Sequence, residues 1–251
     1  MAPRQPCRRR RADHVGADRK CSHAHVLQLD PPDGRAPERD YWGWRGDDKD
    51  NYYNFLTKLA NGLHQEGLKL QVEGPPDTTT GFDYGDVIAA GADQVTMMTY
   101  DAQYQTPSDA GHCYGYAPYA WMRGLWTSAL APIPEAQRYK FVAGLPSEAY
   151  KAPVLAGTTA NCDHHDDAQG NSVLQGNLTM QDMQAAPGFS TDPEVIESRR
   201  DPDSGEIQWV ADGWVYDYVD QTSLDAKLEL AKSLGITNVS LWVLGGGNAW
   251  F

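Results

Sequence analysis

Helical and strand patterns alternate along this chain from residue 41 onward, and this alternation limits the folds it can adopt. Apolar residues recur at helical spacing in four segments. The predicted helices cover residues 50–65, 84–90, 119–130 and 223–234, with Ser223 as the expected N-cap of the last helix. The predicted strands are short apolar runs that cover residues 68–72, 94–98, 139–144 and 239–243. Helices and strands in alternation, with short connections, predict an α/β fold with a parallel sheet or barrel.

Residues 147–213 depart from this alternation. They are rich in Gly, Asn, Asp, Thr and Pro and show no sustained period. This composition predicts loops with small strands.

The strand at residues 94–98 continues into Thr99, Tyr100 and Asp101. The carboxyl ends of parallel barrel strands are where ligands and catalytic residues gather. A Tyr hydroxyl and a carboxylate at that point would face a ligand together. The alternative interpretation is a buried strand that ends in turn-prone polar residues.

Charge divides the chain near residue 40. Residues 1–40 contain nine Lys or Arg and six Asp or Glu, whereas the whole chain has a net charge of −13. The acidic body argues against nucleic acid or an anionic membrane as a partner. No apolar run approaches the ~20 residues of a membrane helix. Residues 1–40 are predicted to be a disordered basic arm or a non-native, out-of-frame sequence, with a nucleic-acid arm or a transit peptide as alternatives.

Four cysteines are present, two of them in the basic arm. Cys113 and Cys162 lie in polar loop sequence, where a disulfide and two free thiols are equal alternatives. A disulfide would imply an oxidising compartment. The segment from Cys162 to Asp167 has side chains that bind metals, but its adjacent residues lack ligand spacing, so we predict a solvated loop and no metal site.

Four motifs follow one another along the chain in a fixed order. They are Met98-Thr99-Tyr100-Asp101, Gly144-Leu145-Pro146, Tyr216-Asp217 followed by Ser223 and Lys227, and Leu241-Trp242-Val243-Leu244-Gly245. Together they resemble the second half of the family 18 glycoside hydrolases, the chitinase-type barrels, over roughly residues 50–251. The Trp242 strand and its Gly-rich continuation resemble most the bacterial spore-cortex and peptidoglycan-associated members.

The resemblance implies a (β/α)8 TIM-barrel-like fold, no cofactor and a polysaccharide of β-linked N-acetylglucosamine as partner. Tyr100 would be the catalytic residue that supports the substrate's N-acetyl group, with Asp101 beside it and Met98 lining the pocket. Trp242 would form the floor under the sugar, since the apolar face of a sugar ring stacks on an indole. A core position for Trp242 is the alternative. The loop-rich residues 147–213 correspond to a small α+β insertion, and many members of the family are secreted.

The chain departs from the family at the general acid. Members carry this Glu in an Asp-Gly-x-Asp-x-Asp-x-Glu strand, which this sequence lacks. Glu38 and Glu73 are weaker substitutes, because general acid catalysis needs hydrogen-bond reach to the leaving oxygen. A complete barrel takes about 250 residues, so we expect an incomplete barrel of about the last four strands within residues 41–251. The sequence therefore predicts a glycoside hydrolase that lacks its acid, or a catalytically inactive chitinase-like carbohydrate-binding protein.

Overall fold

A computed structural model describes residues 47–77, 81–104, 113–163 and 172–243, together with the backbone of residues 23–24. Five strands form a parallel sheet in the order β1-β2-β3-β4-β9. Their bounds are β1 His23–Ala24, β2 Lys69–Gly74, β3 Gln94–Met98, β4 Phe141–Pro146 and β9 Asn238–Trp242. The predicted parallel sheet is therefore present.

The helices connect these strands and cover one face of the sheet. They are α1 Asp48–Gln65, α2 Tyr84–Ala89, α3 Tyr119–Leu130 and α6 Gln221–Ser233. Strand residues alternate between the two faces. Leu70, Val72, Val95, Met97 and Leu145 enter the core with the helices.

The opposite face of the parallel sheet carries polar side chains on β2 and β3. Gln71, Glu73 and Thr96 alternate with the core residues, and Gln71 Nε2 donates to Thr96 Oγ1 at 2.9 Å. Gly144 lets β3 and β4 approach each other, because a Cβ there would lie 2.5 Å from the carbonyl oxygen of Met97. A polar face of this kind leaves side chains free to reach a ligand at the end of the sheet.

A second sheet lies between β4 and α6 in the chain. It is antiparallel, with the order β6-β5-β8-β7. Its strands are β5 Ala149–Pro153, β6 Gln175–Leu178, β7 Ile207–Ala211 and β8 Trp214–Tyr218, accompanied by helices α4 Met180–Ala185 and α5 Pro193–Ser198. Met183, Ile207, Trp209 and Tyr218 form its own small core.

Residues 147–213, predicted as loops with small strands and, from the resemblance, as a small α+β insertion, contain the short strands β5, β6 and β7 and the helices α4 and α5. The antiparallel sheet continues through β8 to Tyr218. Tyr216 and Asp217, the third of the four motifs, lie within antiparallel β8 of this sheet. Trp209 pairs with Tyr216 and Val210 with Val215 across β7 and β8.

The predicted helices and strands of the α/β unit are all observed, with ends shifted by up to two residues. The 3₁₀ helix Glu135–Lys140 takes the first two residues of the strand predicted at 139–144. The N-cap of α6 is Asp220 and not Ser223, because the Asp220 carboxylate accepts from the backbone N–H of Ser223 in a capping box.

Two expectations about the organisation of the chain stay predictions. Residues 1–40 lie outside the described residues apart from β1, and the number of strands in the complete barrel is not defined by the five that are described. Within the described residues, no helix has the length and apolar character needed to cross a membrane.

Candidate active site

A cleft of about 620 Å³ opens at the carboxyl end of the parallel sheet. Its walls come from the ends of β2, β3 and β9 and from β6 of the antiparallel sheet. The lining residues are Glu73, Pro75, Pro76, Asp77, Met98, Tyr100, Asp101, Tyr104, Asn177 and Trp242. Met98, Tyr100, Asp101 and Trp242, the four site residues predicted from the sequence, therefore lie together in one cavity.

Trp242 forms one wall of the cleft and stacks on Tyr100. The two ring centroids are 6.2 Å apart and the ring planes are inclined by 20°. The Trp242 side chain is 43% exposed, so it is not the buried core residue of the alternative interpretation. Ser147 holds its backbone, with the Ser147 N–H donating to the Trp242 carbonyl oxygen at 2.7 Å and the hydroxyl at 2.9 Å. An exposed indole face next to a phenol ring suits the apolar face of a sugar.

Tyr100 follows β3 and is largely buried. Its pKa is raised because burial disfavours the phenolate, and the negative charges of Glu73, Asp101 and Glu148 add to the effect. The hydroxyl therefore remains protonated at neutral pH. The residue before Tyr100 is also held in place, because Trp126 Nε1 donates to Thr99 Oγ1 at 2.7 Å. Tyr100 thus offers a stable hydrogen-bond donor to a ligand in the cleft.

Asp101 turns the chain sharply at the mouth of the cleft, with a φ of 69° that non-glycine residues adopt rarely. Its carboxylate accepts from Gln103 Nε2 at 3.2 Å. Desolvation by the surrounding protein raises the pKa of this carboxyl, and hydrogen bonds from Gln103 and Tyr116 partly offset the rise. The side chain remains open to solvent, so a ligand can reach it.

Two residues that the sequence did not assign to the site, Tyr116 and Glu148, lie directly behind Asp101. The Tyr116 hydroxyl donates to Glu148 Oε2 at 3.0 Å, and both residues are buried. Burial raises the pKa of the Glu148 carboxyl, the Tyr116 hydrogen bond lowers it and the charge of Asp101 raises it further. Glu148 directly follows Gly144-Leu145-Pro146-Ser147, but no spacing rule connects it to residues 101 and 116.

Glu206 anchors the loop that carries Tyr116. Its carboxylate accepts the backbone N–H groups of Tyr116 at 2.5 Å and of Ala117 at 3.0 Å. Lys227 of α6 pairs with the same carboxylate at 3.0 Å, and both side chains are fully buried. The loop therefore has a fixed position between the α/β unit and the antiparallel sheet. Tyr116 and Trp126 are buried residues of the core.

Cys113 and Cys162 form a disulfide, which settles the alternative of two free thiols. Among the described residues, no group of His, Cys, Asp and Glu has the arrangement of a metal site. Residues 164–167 of the proposed solvated loop lie outside the described residues.

The acidic residues on the described walls of the cleft are Glu73, Asp77 and Asp101. Glu73 is the next-to-last residue of β2, and β2 is hydrogen-bonded to β3, the strand that leads into Tyr100. Glu38, the other substitute considered for the general acid, lies outside the described residues.

This combination of a parallel sheet, helices on one face and an antiparallel unit before the last strand is the fold of chitinase-type catalytic domains. The chain is similar to the spore cortex-lytic enzyme SleL of Bacillus cereus, with 20% identity, a TM-score of 0.58, and coverage of 80% of this chain and 44% of that one. It is similar to a chitinase of Chromobacterium violaceum, with 21% identity, a TM-score of 0.55 and coverage of 81% and 59%.

A class V chitinase of Nicotiana tobaccum has 16% identity and a TM-score of 0.59, with coverage of 82% of this chain and 62% of that one. The chain thus spans about half the length of these proteins. No protein-family profile and no curated protein sequence matches it. The resemblance to the family 18, chitinase-type proteins is therefore confirmed at the level of the fold.

Proposed function

We propose that the chain is part of a glycoside hydrolase acting on β-linked N-acetylglucosamine polymers of the chitin or peptidoglycan type. One observation carries the proposal: Met98, Tyr100, Asp101 and Trp242 line a single cleft at the carboxyl end of a chitinase-type sheet. The structures with this fold include chitinases and spore cortex-lytic enzymes.

The roles follow from the chemistry of each side chain. In substrate-assisted, retaining hydrolysis, the acetamido oxygen of the substrate attacks the anomeric carbon and no enzyme nucleophile is needed. The Tyr100 hydroxyl would donate to that oxygen and orient it for attack. The Asp101 carboxylate would accept the acetamido N–H and stabilise the positive charge that develops there. Trp242 would hold the sugar ring, and Met98 would fill the apolar side of the pocket.

A second candidate is a catalytically inactive, chitinase-like carbohydrate-binding protein. It is favoured because the sequence lacks the Asp-Gly-x-Asp-x-Asp-x-Glu strand that supplies the general acid in the family. Glu73 would be the acid only if turnover depends on it. In both candidates the partner is a polysaccharide containing N-acetylglucosamine, and the disulfide fits the secretion that is common in the family.

The test is the binding and turnover of N-acetylglucosamine tetramers by the whole chain, measured by isothermal titration calorimetry and by release of reducing ends. The Trp242→Ala variant should bind about tenfold more weakly, equivalent to about 1.4 kcal/mol, because the stacking surface is lost. Val239→Ala is the matched control, since Val239 is also exposed on β9 but belongs to the opposite face.

Turnover separates the two candidates. Hydrolysis that disappears in Glu73→Gln supports the hydrolase with Glu73 as its acid. Binding without hydrolysis supports the carbohydrate-binding protein. Absence of tetramer binding, or equal binding by wild type and Trp242→Ala, would contradict both candidates.

A further inference from the structure

The buried side chain of Gln103 contacts the exposed carboxylate of Asp101. Gln103 Nε2 donates to Asp101 Oδ1 at 3.2 Å, and the exposed fraction of Gln103 is 0%. Asp101 is exposed and lines the cleft. This hydrogen bond therefore connects a carboxylate that a ligand can reach to an amide that is closed to solvent.

The Gln103 amide leaves its own carbonyl oxygen unpaired. Gln103 Oε1 is buried and has no hydrogen-bond partner among the described residues. A buried oxygen without a donor lowers the free energy of unfolding. The opposite orientation of the amide would place this oxygen against Asp101 Oδ1, where two acceptors repel each other. The ionised Asp101 carboxylate therefore fixes the orientation of the Gln103 amide.

The backbone of this turn is held without the Gln103 side chain. The Ala102 N–H donates to the Tyr116 carbonyl oxygen at 3.0 Å, and the Tyr104 N–H donates to the Asp101 carbonyl oxygen at 3.2 Å. These bonds secure the 3₁₀ turn Ala102–Tyr104 that follows the positive φ of Asp101. The stability of the turn therefore does not account for the amide group of Gln103, whereas its contact with the Asp101 carboxylate does.

We propose that Gln103 is a positioning residue, which holds the Asp101 carboxylate in the orientation that accepts the acetamido N–H of the sugar. This role rests on the proposed function, in which Asp101 is that acceptor. A carboxylate with no fixed donor rotates about its Cβ–Cγ bond, and binding then has to restrict this rotation. Because Gln103 holds Oδ1, the acceptor is oriented before the ligand arrives.

Titratable groups from several elements surround Asp101. They are Glu73 of β2, Tyr100 and Tyr104 beyond β3, Tyr116 before α3, and Glu148 between β4 and β5. No Lys, Arg or His lies among the described residues that line the cleft. Burial raises the pKa of Asp101, and hydrogen bonds, that of Gln103 foremost, lower it. Removal of the Gln103 amide should therefore raise the pKa of Asp101, since no cation on the described walls compensates for it.

The experiment compares Gln103→Met with wild type in the whole chain. Methionine is similar in length and has no N–H to donate, so the variant removes the hydrogen bond and the unpaired oxygen together. The affinity for N-acetylglucosamine tetramers, measured by isothermal titration calorimetry, should fall about tenfold. The thermal unfolding temperature should equal or exceed that of wild type. The ¹³C NMR titration of the Asp101 carboxyl carbon, without ligand, should shift to higher pH, and the loss of affinity on the acid side should shift with it.

A second variant, Gln103→Glu, replaces the amide by a titratable group of the same size. While the introduced carboxyl and Asp101 share one proton, a donor remains, and the affinity should be close to that of wild type. When that proton leaves at higher pH, two carboxylates repel each other and the affinity should fall about tenfold, a loss that wild type should not show. Gln137→Met is the matched control, because Gln137 is exposed on the 3₁₀ helix Glu135–Lys140 and does not line the cleft.

Weaker binding by Gln103→Met at undiminished thermal stability, together with the alkaline loss in Gln103→Glu, supports the positioning role. Unchanged tetramer affinity in Gln103→Met overturns it. A loss of affinity that accompanies a lower unfolding temperature and leaves the Asp101 titration unchanged also overturns it, because Gln103 is then structural. A wild-type chain that binds no tetramer at any pH overturns the proposed function and, with it, the role of Gln103 in binding, even where the Asp101 titration still shifts in Gln103→Met.

Discussion

At the scale of the residue, Tyr100 combines three properties that a ligand-orienting donor needs. It is largely buried, its ring is held against Trp242, and its hydroxyl stays protonated because burial and nearby negative charge raise its pKa. Tyr100 lines the same cavity as Asp101. A contact of this kind should distinguish ligands by their acetamido groups.

Removal of the Tyr100 hydroxyl should therefore affect N-acetylated ligands selectively. Tyr100→Phe should weaken binding of N-acetylglucosamine tetramers about tenfold, since one hydrogen bond is lost while the stacked ring remains. The already weaker binding of glucosamine tetramers should change little. Calorimetry with both ligands provides the comparison, and an equal loss for both would show that the hydroxyl does not contact the acetamido group.

Asp217 is a buried carboxyl whose ionised form is disfavoured. Burial raises its pKa well above the ordinary value, and the charge of Glu206 adds to this effect. Gln208 Nε2 donates to its Oδ2 at 3.1 Å, while Oδ1 has no hydrogen-bond partner among the described residues. The pKa of Asp217 is higher in the folded protein than in the unfolded chain, where it is near 3.9. The contribution of this group to the free energy of unfolding is therefore greatest below about pH 3.9. It decreases as the pH rises toward the pKa of the folded state, because the unfolded chain releases the proton first.

Asp217→Asn should therefore stabilise the protein at neutral and alkaline pH. The amide carries no charge and can donate to Glu206, which should raise the free energy of unfolding by about 1 kcal/mol at pH 8 and by less at pH 4. Urea unfolding at both pH values measures the difference. Asp212→Asn, in the exposed turn between β7 and β8, is the control. A gain that is equal at both pH values would contradict the assigned ionisation.

At the scale of the element, the Lys227 side chain of α6 reaches Glu206 and Ser204 of the antiparallel unit. Lys227 pairs with Glu206 at 3.0 Å, donates to the Ser204 carbonyl oxygen at 2.5 Å and lies 5.0 Å from the ring centroid of Tyr119. The Glu206 carboxylate in turn binds the loop that carries Tyr116. The pair is fully buried, so each charge depends on the other.

Lys227→Met should destabilise the protein by about 3–5 kcal/mol, because it leaves the Glu206 charge buried without its partner. Lys232→Met is the matched control on the same helix. Lys232 is largely exposed and pairs with Glu229 at the surface, so its replacement should cost less than about 0.5 kcal/mol. Denaturant unfolding gives both values. If the double variant Lys227→Met/Glu206→Gln recovers most of the lost stability, the unpaired charge of Glu206 is the cause of the loss. Equal effects of Lys227→Met and Lys232→Met would contradict that cause.

At the scale of the whole molecule, the disulfide between Cys113 and Cys162 closes a loop of 49 residues that contains α3, β4 and β5. It connects the segment before Tyr116 to the antiparallel unit. A cross-link over a loop of this length restricts the unfolded chain and stabilises the fold by about 4 kcal/mol in the chain-entropy description.

Reduction of the protein should lower its thermal unfolding temperature by several degrees. Scanning calorimetry with and without a phosphine reductant measures the shift. The double variant Cys113→Ser/Cys162→Ser should unfold at the lower temperature under both conditions, which excludes an effect of the reductant on the remaining cysteines. A reductant effect that persists in the double variant would contradict the contribution of this disulfide.

Local sequence signals determined the helices and the parallel strands, and the resemblance to the chitinase-type barrels supplied the four residues predicted for the cleft. Period and alternation depend on neighbours in the chain, so they identify α1, α3 and β3 without tertiary information. The strand-end position of Tyr100 and Asp101 indicated a ligand site, because the carboxyl ends of parallel strands meet at one edge of a sheet.

Only the tertiary structure determined the partners behind the cleft and the strand pairing of the antiparallel sheet. Glu206 reaches Tyr116 across 90 positions of sequence, and Tyr116 reaches Glu148 across 32. No periodicity encodes such pairs, since a buried carboxyl is stabilised by whichever donors the fold brings to it. The antiparallel sheet likewise depends on pairing between distant strands, which Gly- and Asn-rich connections do not reveal. Propensity and spacing are local, whereas burial, pKa and charge pairing are properties of the assembled fold.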